Sequence, residues 1–465
     1  MALTIEQFPL YTLNTAGQEL IFTVSDAVTV SNFFNVKYVA EVHISTVDIN
    51  LATTTAIVGT FKTTPNNAGV GMFQFSPVVE SFVSPDNLAA LGSSYKTIAT
   101  TAIINHPLHL VDKFSLNDNV LRYLKIRFTV EGSATADGTV SVQNTVDSSQ
   151  YSLINGYLKH TDKLKLIAGH FGYDNAKFNM GALEGQFLTN APLTQYANID
   201  DYGTLSFMAT PNPSFPSTTT VDELAFKYYN SSDGIISAET VENNDANGGY
   251  TTWDSDTKKQ ILHIGCFPAN LQNWSSAFAT AMGLDLSYYT VRLLDSSNAD
   301  ISETVTININ CPTLKGYEPI RLTWLNQWGV WDYYTFKMKS TRMLSTKGST
   351  YEQLAGTWNE SIYLPSGYRG GKKAFRVNAT EKIKMNTEFV NEAESEWFEE
   401  LINSPEVYIL EGFESTVSTT QLLNQYVVPV RLTTSSYTRK TVANDKLMQY
   451  TFEVEKSKTL RTQSV

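Results

Sequence analysis

The chain has 465 residues, a formal charge of −12, a pI near 5.1 and only 17% charged residues against 24 Tyr and 24 Phe. That length exceeds one hydrophobic core and predicts several domains, and the acidic balance excludes a general nucleic-acid binder, whose phosphate affinity comes from clustered Lys and Arg. No stretch has the run of apolar residues a membrane-spanning helix needs, and MALTIEQFPLY lacks the basic and apolar regions of a secretory leader, so folding in a cytoplasm is expected.

Recurrent Thr, Val, Ile, Tyr and Phe suit sheets, and the predicted fold class is mainly β: multidomain antiparallel β-sandwiches with one or two short helices. Divisions fall near 160 and 312, giving an N-terminal β domain over 1–160, a middle β domain with long polar loops over 161–311, and a C-terminal β domain over 312–465. Residues 1–18, with Pro9 and a polar run from Asn14 to Gln18, read as an arm able to swap onto a neighbouring subunit.

In chain order, Ser76-Pro77 to Phe82 predicts a short helical turn. Leu124, Ile126, Phe128 and Val130 alternate with Lys125, Arg127, Thr129 and Glu131, which predicts a strand with one wet face. The small polar run 132–150 reads as a hairpin excursion or a junction. Residues 209–220, with three prolines, and 230–258, rich in Asn, Asp, Ser and Gly, read as exposed loops. Val305, Ile307 and Ile309 predict a strand before Cys311-Pro312, and Met448, Tyr450, Phe452 and Val454 predict another. Between them, Asn391 followed by Glu394 predicts a capped helix to Asn403, ended by Ser404-Pro405, with Trp397, Phe398 and Leu401 on its apolar face. No internal repeat of fixed period occurs.

Chemistry-bearing patterns are weak. His106 and His109 in HPLH lack a third ligand at useful spacing, and Cys266 and Cys311 read as buried thiols, so no metal site is predicted. Nucleophile elbows, P-loops and HExxH are missing. Asp200-Asp201 and the pair Asp254 and Asp256 read as turn formers more readily than as glycosidase carboxylates, which must sit about 5 to 9 Å apart. Residues 243–249 and 253–256 carry oxygen donors but not the EF-hand ligand order. Neither catalysis nor a cofactor is expected. The basic spots Arg369, Lys372 and Lys373, and Arg439 with Lys440, read as solvated loop charges.

The most distinctive segment is GYEPIRLTWLNQWGVWDYYTFKMKSTR, residues 316–342. Ile320 to Leu325 predicts a strand, Asn326 to Gly329 a turn, and Trp331 to Met338 the returning strand. Trp324, Trp328, Trp331, Tyr333, Tyr334 and Phe336 form an aromatic group with two readings, a core corner or an intersubunit anchor.

This segment resembles a pattern, L-x-W-L-N-x-x-G-x-W-D-Y-F-T-F, found in virion structural proteins of tailed phages, especially those of Bacteroidetes hosts and marine relatives. Tyr334 stands where Phe is usual. Further similar pieces are GMFQFSPVVESFV at 71–83, GCFPANL at 265–271, SEWFEELINSPEVYIL at 395–410 and NDKLMQYTFEVEKS at 444–457. The resemblance implies a β-rich tail, baseplate or neck subunit of the virion, assembled in the host cytoplasm. It implies homo-oligomeric ring assembly and contacts with other virion tail or neck proteins and carries over no catalytic residues; the acidic charge and the lack of long apolar runs predict no direct nucleic-acid partner and no membrane. The alternative is a carbohydrate- or receptor-binding phage protein, with Trp253 and Trp274 in loop-like sequence stacking on sugar; a sugar-cleaving enzyme is a third reading.

Overall fold

A computed structural model describes residues 2–9, 13–52, 56–85, 108, 114–116, 119–158, 186–208, 221–242, 260–310, 316–356, 361–363, 368–411, 427–439 and 448–464. The chain is mainly β, and its described residues form two compact units. One comprises Met1–Pro312, Leu325–Tyr333 and Gly412–Asn424; the other comprises Thr313–Trp324, Tyr334–Glu411 and Gln425–Val465.

The first unit contains a sandwich. Its larger sheet runs in the order Leu13–Thr15, Tyr151–Ile154, Leu121–Ser133, Phe34–Ser45, Ile57–Thr63, with Ser141–Asp147 also on Leu121–Ser133. Thr4–Gln7, Ile21–Ser25 and Val70–Gln74 make a three-stranded sheet. The alternation read at Leu124–Val130 lies within Leu121–Ser133. Ile126, Phe128 and Val130 point into a core shared with Phe22, Val24 and Phe73 of the smaller sheet. Aromatic rings interlock there, Phe22 lying 5.6 to 5.7 Å from Phe75, Phe128 and Tyr151.

Two further sheets complete this unit. One runs Thr194–Ala197, Val305–Ile309, Leu286–Leu294, Glu223–Asn230, Ile235–Glu242; the other runs Thr204–Met208, Ile261–Gly265, Phe114–Leu116. The last of these explains why the unit runs through residue 160, where the sequence reading placed a division. Phe114–Leu116, from the first third of the chain, pairs with Ile261–Gly265 from the second.

Several sequence expectations are corrected. Among the described residues, pairing is antiparallel except at two edges, where Leu13–Thr15 and Thr194–Ala197 run parallel to their neighbours. Five short α-helices are described rather than one or two. Ala27–Asn32 is capped by Asp26, which accepts from Thr29 N at 2.9 Å, and Ser276–Met282 is capped by Ser275. Pro268–Trp274 starts at a proline, whose fixed φ suits a first helical turn. Their apolar stripes are too short to register as a 3.6-residue period.

Residues 132–150 are a hairpin excursion, since Ser141–Asp147 pairs back on Leu121–Ser133. Of the expected loop 230–258, Ile235–Glu242 is a strand. The Asn and Gly taken for loop residues close a tight turn, where the Asn230 side chain accepts from Ser232 N and Gly234 N. Residues 209–220 and 243–258 lie outside the described residues. The N-terminal arm is stitched into its own chain: Thr4–Gln7 pairs Ile21–Ser25, and Leu13–Thr15 pairs Tyr151–Ile154.

One more sheet, all of it in the second unit except Leu325 and Trp331–Tyr333, is ordered Trp331–Phe336, Ile320–Leu325, Val407–Leu410, Val427–Leu432, Thr451–Lys456, Gly371–Asn386, Thr341–Gln353, with Leu460–Ser464 also on Gly371–Asn386. The helix Glu392–Asn403 has a complete capping box: Asn391 accepts from Glu394 N at 2.8 Å, and Glu394 accepts from Asn391 N at 2.9 Å. Trp397, Phe398 and Leu401 are buried, and Phe398 lies 5.4 Å from Phe452 of the sheet. Asn391→Ala removes the cap and is expected to destabilise this unit by about 1 kcal/mol. A lower urea midpoint, followed by tryptophan fluorescence, checks it; an unchanged midpoint shows that packing alone holds the helix.

Candidate functional site

The tryptophan hairpin forms as the sequence predicts, with strands Ile320–Leu325 and Trp331–Phe336. Its turn is held by one side chain. Asn326 Oδ1 accepts from Trp328 N at 3.0 Å and Val330 N at 3.2 Å, while Nδ2 donates to Leu188 O at 2.9 Å and Asp332 Oδ1 at 3.1 Å. Both lone pairs and both amide hydrogens are thereby occupied. Asp332 is buried, and its Oδ1 also accepts from Thr189 Oγ1 at 2.7 Å. Gly329 has φ +75°, and a Cβ there would lie 1.6 Å from Asn155 O. Tyr157 N donates to Gln327 O at 3.0 Å on the same side of the turn.

Five of the six candidate interface residues are buried within the chain and Tyr334 is half-buried, which favours the core-corner reading over the intersubunit one. In the first unit, Trp328 is 1% exposed among Leu13, Tyr123, Ile154 and Leu188. Trp331 is buried, and Tyr333 is buried with its hydroxyl 3.1 Å from Thr204 Oγ1 and its ring 5.7 Å from Phe267. In the second unit, Trp324 is fully buried 4.8 Å from Trp397, and Phe336 is fully buried 5.7 Å from Phe452. Tyr334 is half-buried with its ring edge-on to Phe398, and burial pushes its hydroxyl pKa up. Low charge and abundant aromatics suited either reading; both faces of each hairpin strand are covered by the chain itself.

Other candidates resolve as structure. Asp201 is a turn former, its Oδ2 accepting from Asn198 N at 2.8 Å. Trp274 is no sugar platform: its indole donates to Gly265 O at 3.0 Å, and its ring meets Phe226 edge-on at 5.6 Å. Cys266 is buried. His106, His109, Asp254, Asp256, Trp253, Cys311, Lys440 and the oxygen-rich loops at 243–249 and 253–256 lie outside the described residues. Among the described residues, no group of three or more His, Cys, Asp or Glu is placed to hold a metal.

Sequence reading missed a serine–histidine pair. Ser206 and His263 face each other across antiparallel strands, with Oγ 2.7 Å from Nδ1 and both side chains buried. Burial depresses the imidazole pKa to about 3. Both residues lie inside five-residue strands buried at every position, so the pair ties two strands and is closed to a substrate.

Also missed was a ribbon, Thr341–Gln353 paired with Gly371–Asn386. The first strand has no buried residue along its 13 positions, and the second has none from Gly371 to Asn378. Its base is pinned by ions: Arg342 pairs with Glu381 at 3.1 Å and Glu318 at 2.6 Å, and Lys456 with Glu381 at 3.3 Å. Farther out, Lys347, Lys372 and Arg376 have no carboxylate within ion-pair distance among the described residues. The expected loop charges Lys372 and Lys373 thus stand on a strand, and its run of Ser, Thr, Lys and Gly carried no one-sided apolar signal.

Gly329→Ala is expected to cost several kcal/mol, because Asn155, which follows the strand Tyr151–Ile154 and donates its N–H to Val120 O at 2.7 Å, cannot withdraw its O without breaking that bond, whereas Gly316→Ala, at φ +67° with open space around it, costs only left-handed strain of roughly 1 to 2 kcal/mol. Thermal denaturation of the two variants separates close approach from backbone strain; equal losses overturn the steric account. The buried histidine sets a pH dependence. Its folded pKa lies below the unfolded value, so its contribution is intact above about 6.5 and is lost as pH falls towards about 3. Melting temperature is expected to fall across that window, less steeply in His263→Gln; identical slopes remove His263 from acid sensitivity.

Comparison with protein-family models and with curated proteins gives no match for this chain.

Proposed function

We propose that this chain is a structural subunit of a tailed-phage virion, in the tail, baseplate or neck, working by assembly with itself and with neighbouring virion proteins and not by catalysis. The observation that carries the reading is the ribbon. Beyond Arg376 the ribbon has two strands only, and a two-stranded ribbon exposed on both faces is marginal in water on its own; its outer strand, 13 residues long, spans ~44 Å at ~3.4 Å per residue. Such an element gains its stability when a partner covers it. The resemblance of residues 322–336 to virion structural proteins supplies the setting. The motif's distinctive polar residues, Asn326 and Asp332, are occupied in holding the hairpin, which suits a scaffold motif better than a chemical one.

Among the described residues, the sugar-binding alternative loses Trp274 as a platform and has no other observation in its favour, while Trp253 lies outside them. Two measurements test the main reading. Light scattering of the purified chain is expected to show a discrete oligomer. An antibody raised against it is expected to label one end of purified phage particles carrying this sequence; particles without label, or without the chain by mass spectrometry, overturn the virion assignment.

A further inference from the structure

We infer that the ribbon is an assembly arm that seats on the acidic surface of a second copy of this chain, an inference resting on the self-assembly reading above. Charge is segregated along the sequence. Residues 341–386 hold eight Lys or Arg against three Glu, a charge of +5, so the remainder of the chain carries −17 of the total −12. A copy of the chain therefore offers the counter-charge that the ribbon needs, present wherever the ribbon is.

The two faces of the ribbon differ. Cross-strand partners share a face, and registers Gly348 with Val377, Thr346 with Ala379, and Leu344 with Glu381 put Leu344 and Val377 on one side. Leu460 joins them by pairing with Ala379. These three apolar side chains are 58%, 41% and 51% exposed. Lys347, Arg376 and Lys382 fall on the opposite face, from the registers Lys347 with Asn378, Ser349 with Arg376, and Met343 with Lys382. Arg342 shares the face of Leu344, and Met343, 55% exposed, shares that of Lys347, so the first face is richer in apolar side chains and the second in cations while both carry some of each, a mixture that matches a protein surface with an acidic rim. The chain's overall charge of −12 would oppose the approach of a nucleic-acid backbone.

Contact through faces is also favoured over strand addition at the edge. Thr341–Gln353 is the outer strand of its sheet, but Lys347 at its middle and the register shift after Ser349 are features that blunt edge pairing. A ribbon ~44 Å long and ~10 Å wide offers ~440 Å² on one face. Where two copies exchange arms reciprocally, each giving one and receiving one, about 880 Å² is covered per partner, close to the ~800 Å² per partner of a stable interface.

The test uses the full chain and two variants. One carries Lys347→Glu, Lys372→Glu and Arg376→Glu, all exposed positions outside the ion pairs at the base. The other shortens the ribbon, joining Ser349 to its cross-strand partner Arg376 through Asn-Gly, a turn suited to two-residue hairpins. Self-association is read by light scattering and sedimentation at low and high salt, with circular dichroism and melting as fold controls. The expected result is an oligomer of the wild-type chain that loosens in salt, with self-association weakened about 100-fold or more in both variants, since opposed like charges cost several kcal/mol.

Variants that assemble like the wild type overturn the arm and leave the self-assembly reading standing. Loss of assembly in the shortened chain alone overturns the acidic seat. A wild-type chain that stays monomeric at low salt overturns the arm and self-assembly together. Binding of short duplex DNA by a chain that does not self-associate assigns the ribbon to nucleic acid and overturns the inference.

Discussion

The turn at Asn326 is the constraint on which the hairpin and its surroundings depend. Four hydrogen bonds converge on one amide, two to the turn's own backbone, one to Leu188 and one to Asp332. Once that amide is buried, every alternative conformation of the turn leaves several polar groups without partners, each costing about 1 to 3 kcal/mol. The register of two fully covered strands follows from it, because a slip by one residue would exchange the faces of Trp324, Trp331 and Phe336. Gly329 adds a steric condition to the electrostatic one: with Asn155 O where a Cβ would stand, no other residue fits.

This arrangement also accounts for what the motif's residue types accomplish. Tryptophans in a turn suggest a surface anchor when read as a string, since aromatic residues are enriched at interfaces. Here they bury in two directions. Trp328 fills a core with Tyr123 and Leu188, and Trp324 fills another with Trp397. Large rings are needed because each hairpin strand is covered on both faces, and side chains smaller than Trp or Phe would leave cavities. Aromatic content is therefore a statement about packing volume in this hairpin and not about a binding surface.

How much was legible in the sequence follows from the same physics. Leu121–Ser133, the hairpin strands and the capped helix at 392 were readable because each has a local signal: period-two alternation, an Asn–Gly turn, or a capping box. Ile235–Glu242 was not, since its turn residues outweighed its weak alternation. The Ser206–His263 pair was invisible because its partners come from strands 57 residues apart, joined only by pairing. The ribbon escaped for the opposite reason. A strand exposed on both faces has no apolar periodicity to detect, and STKGSTYEQ reads as a loop until its 13 positions are paired with a second strand.

That blind spot is informative about function. A strand within a monomer's core is selected for an apolar face, and the pattern shows in one chain. A strand completed only by another molecule needs solubility before assembly and complementarity after it, so its apolar contacts stay few and its charges stay unpaired. Leu344, Val377 and Leu460 scattered among Lys347, Lys372 and Arg376 fit that compromise. The base of the ribbon, by contrast, is neutralised within the chain by Glu318 and Glu381. Among the described residues, charge is balanced where the ribbon joins its own sheet and left open where it extends beyond it, which is the distribution expected of an element whose counter-charges lie on another molecule.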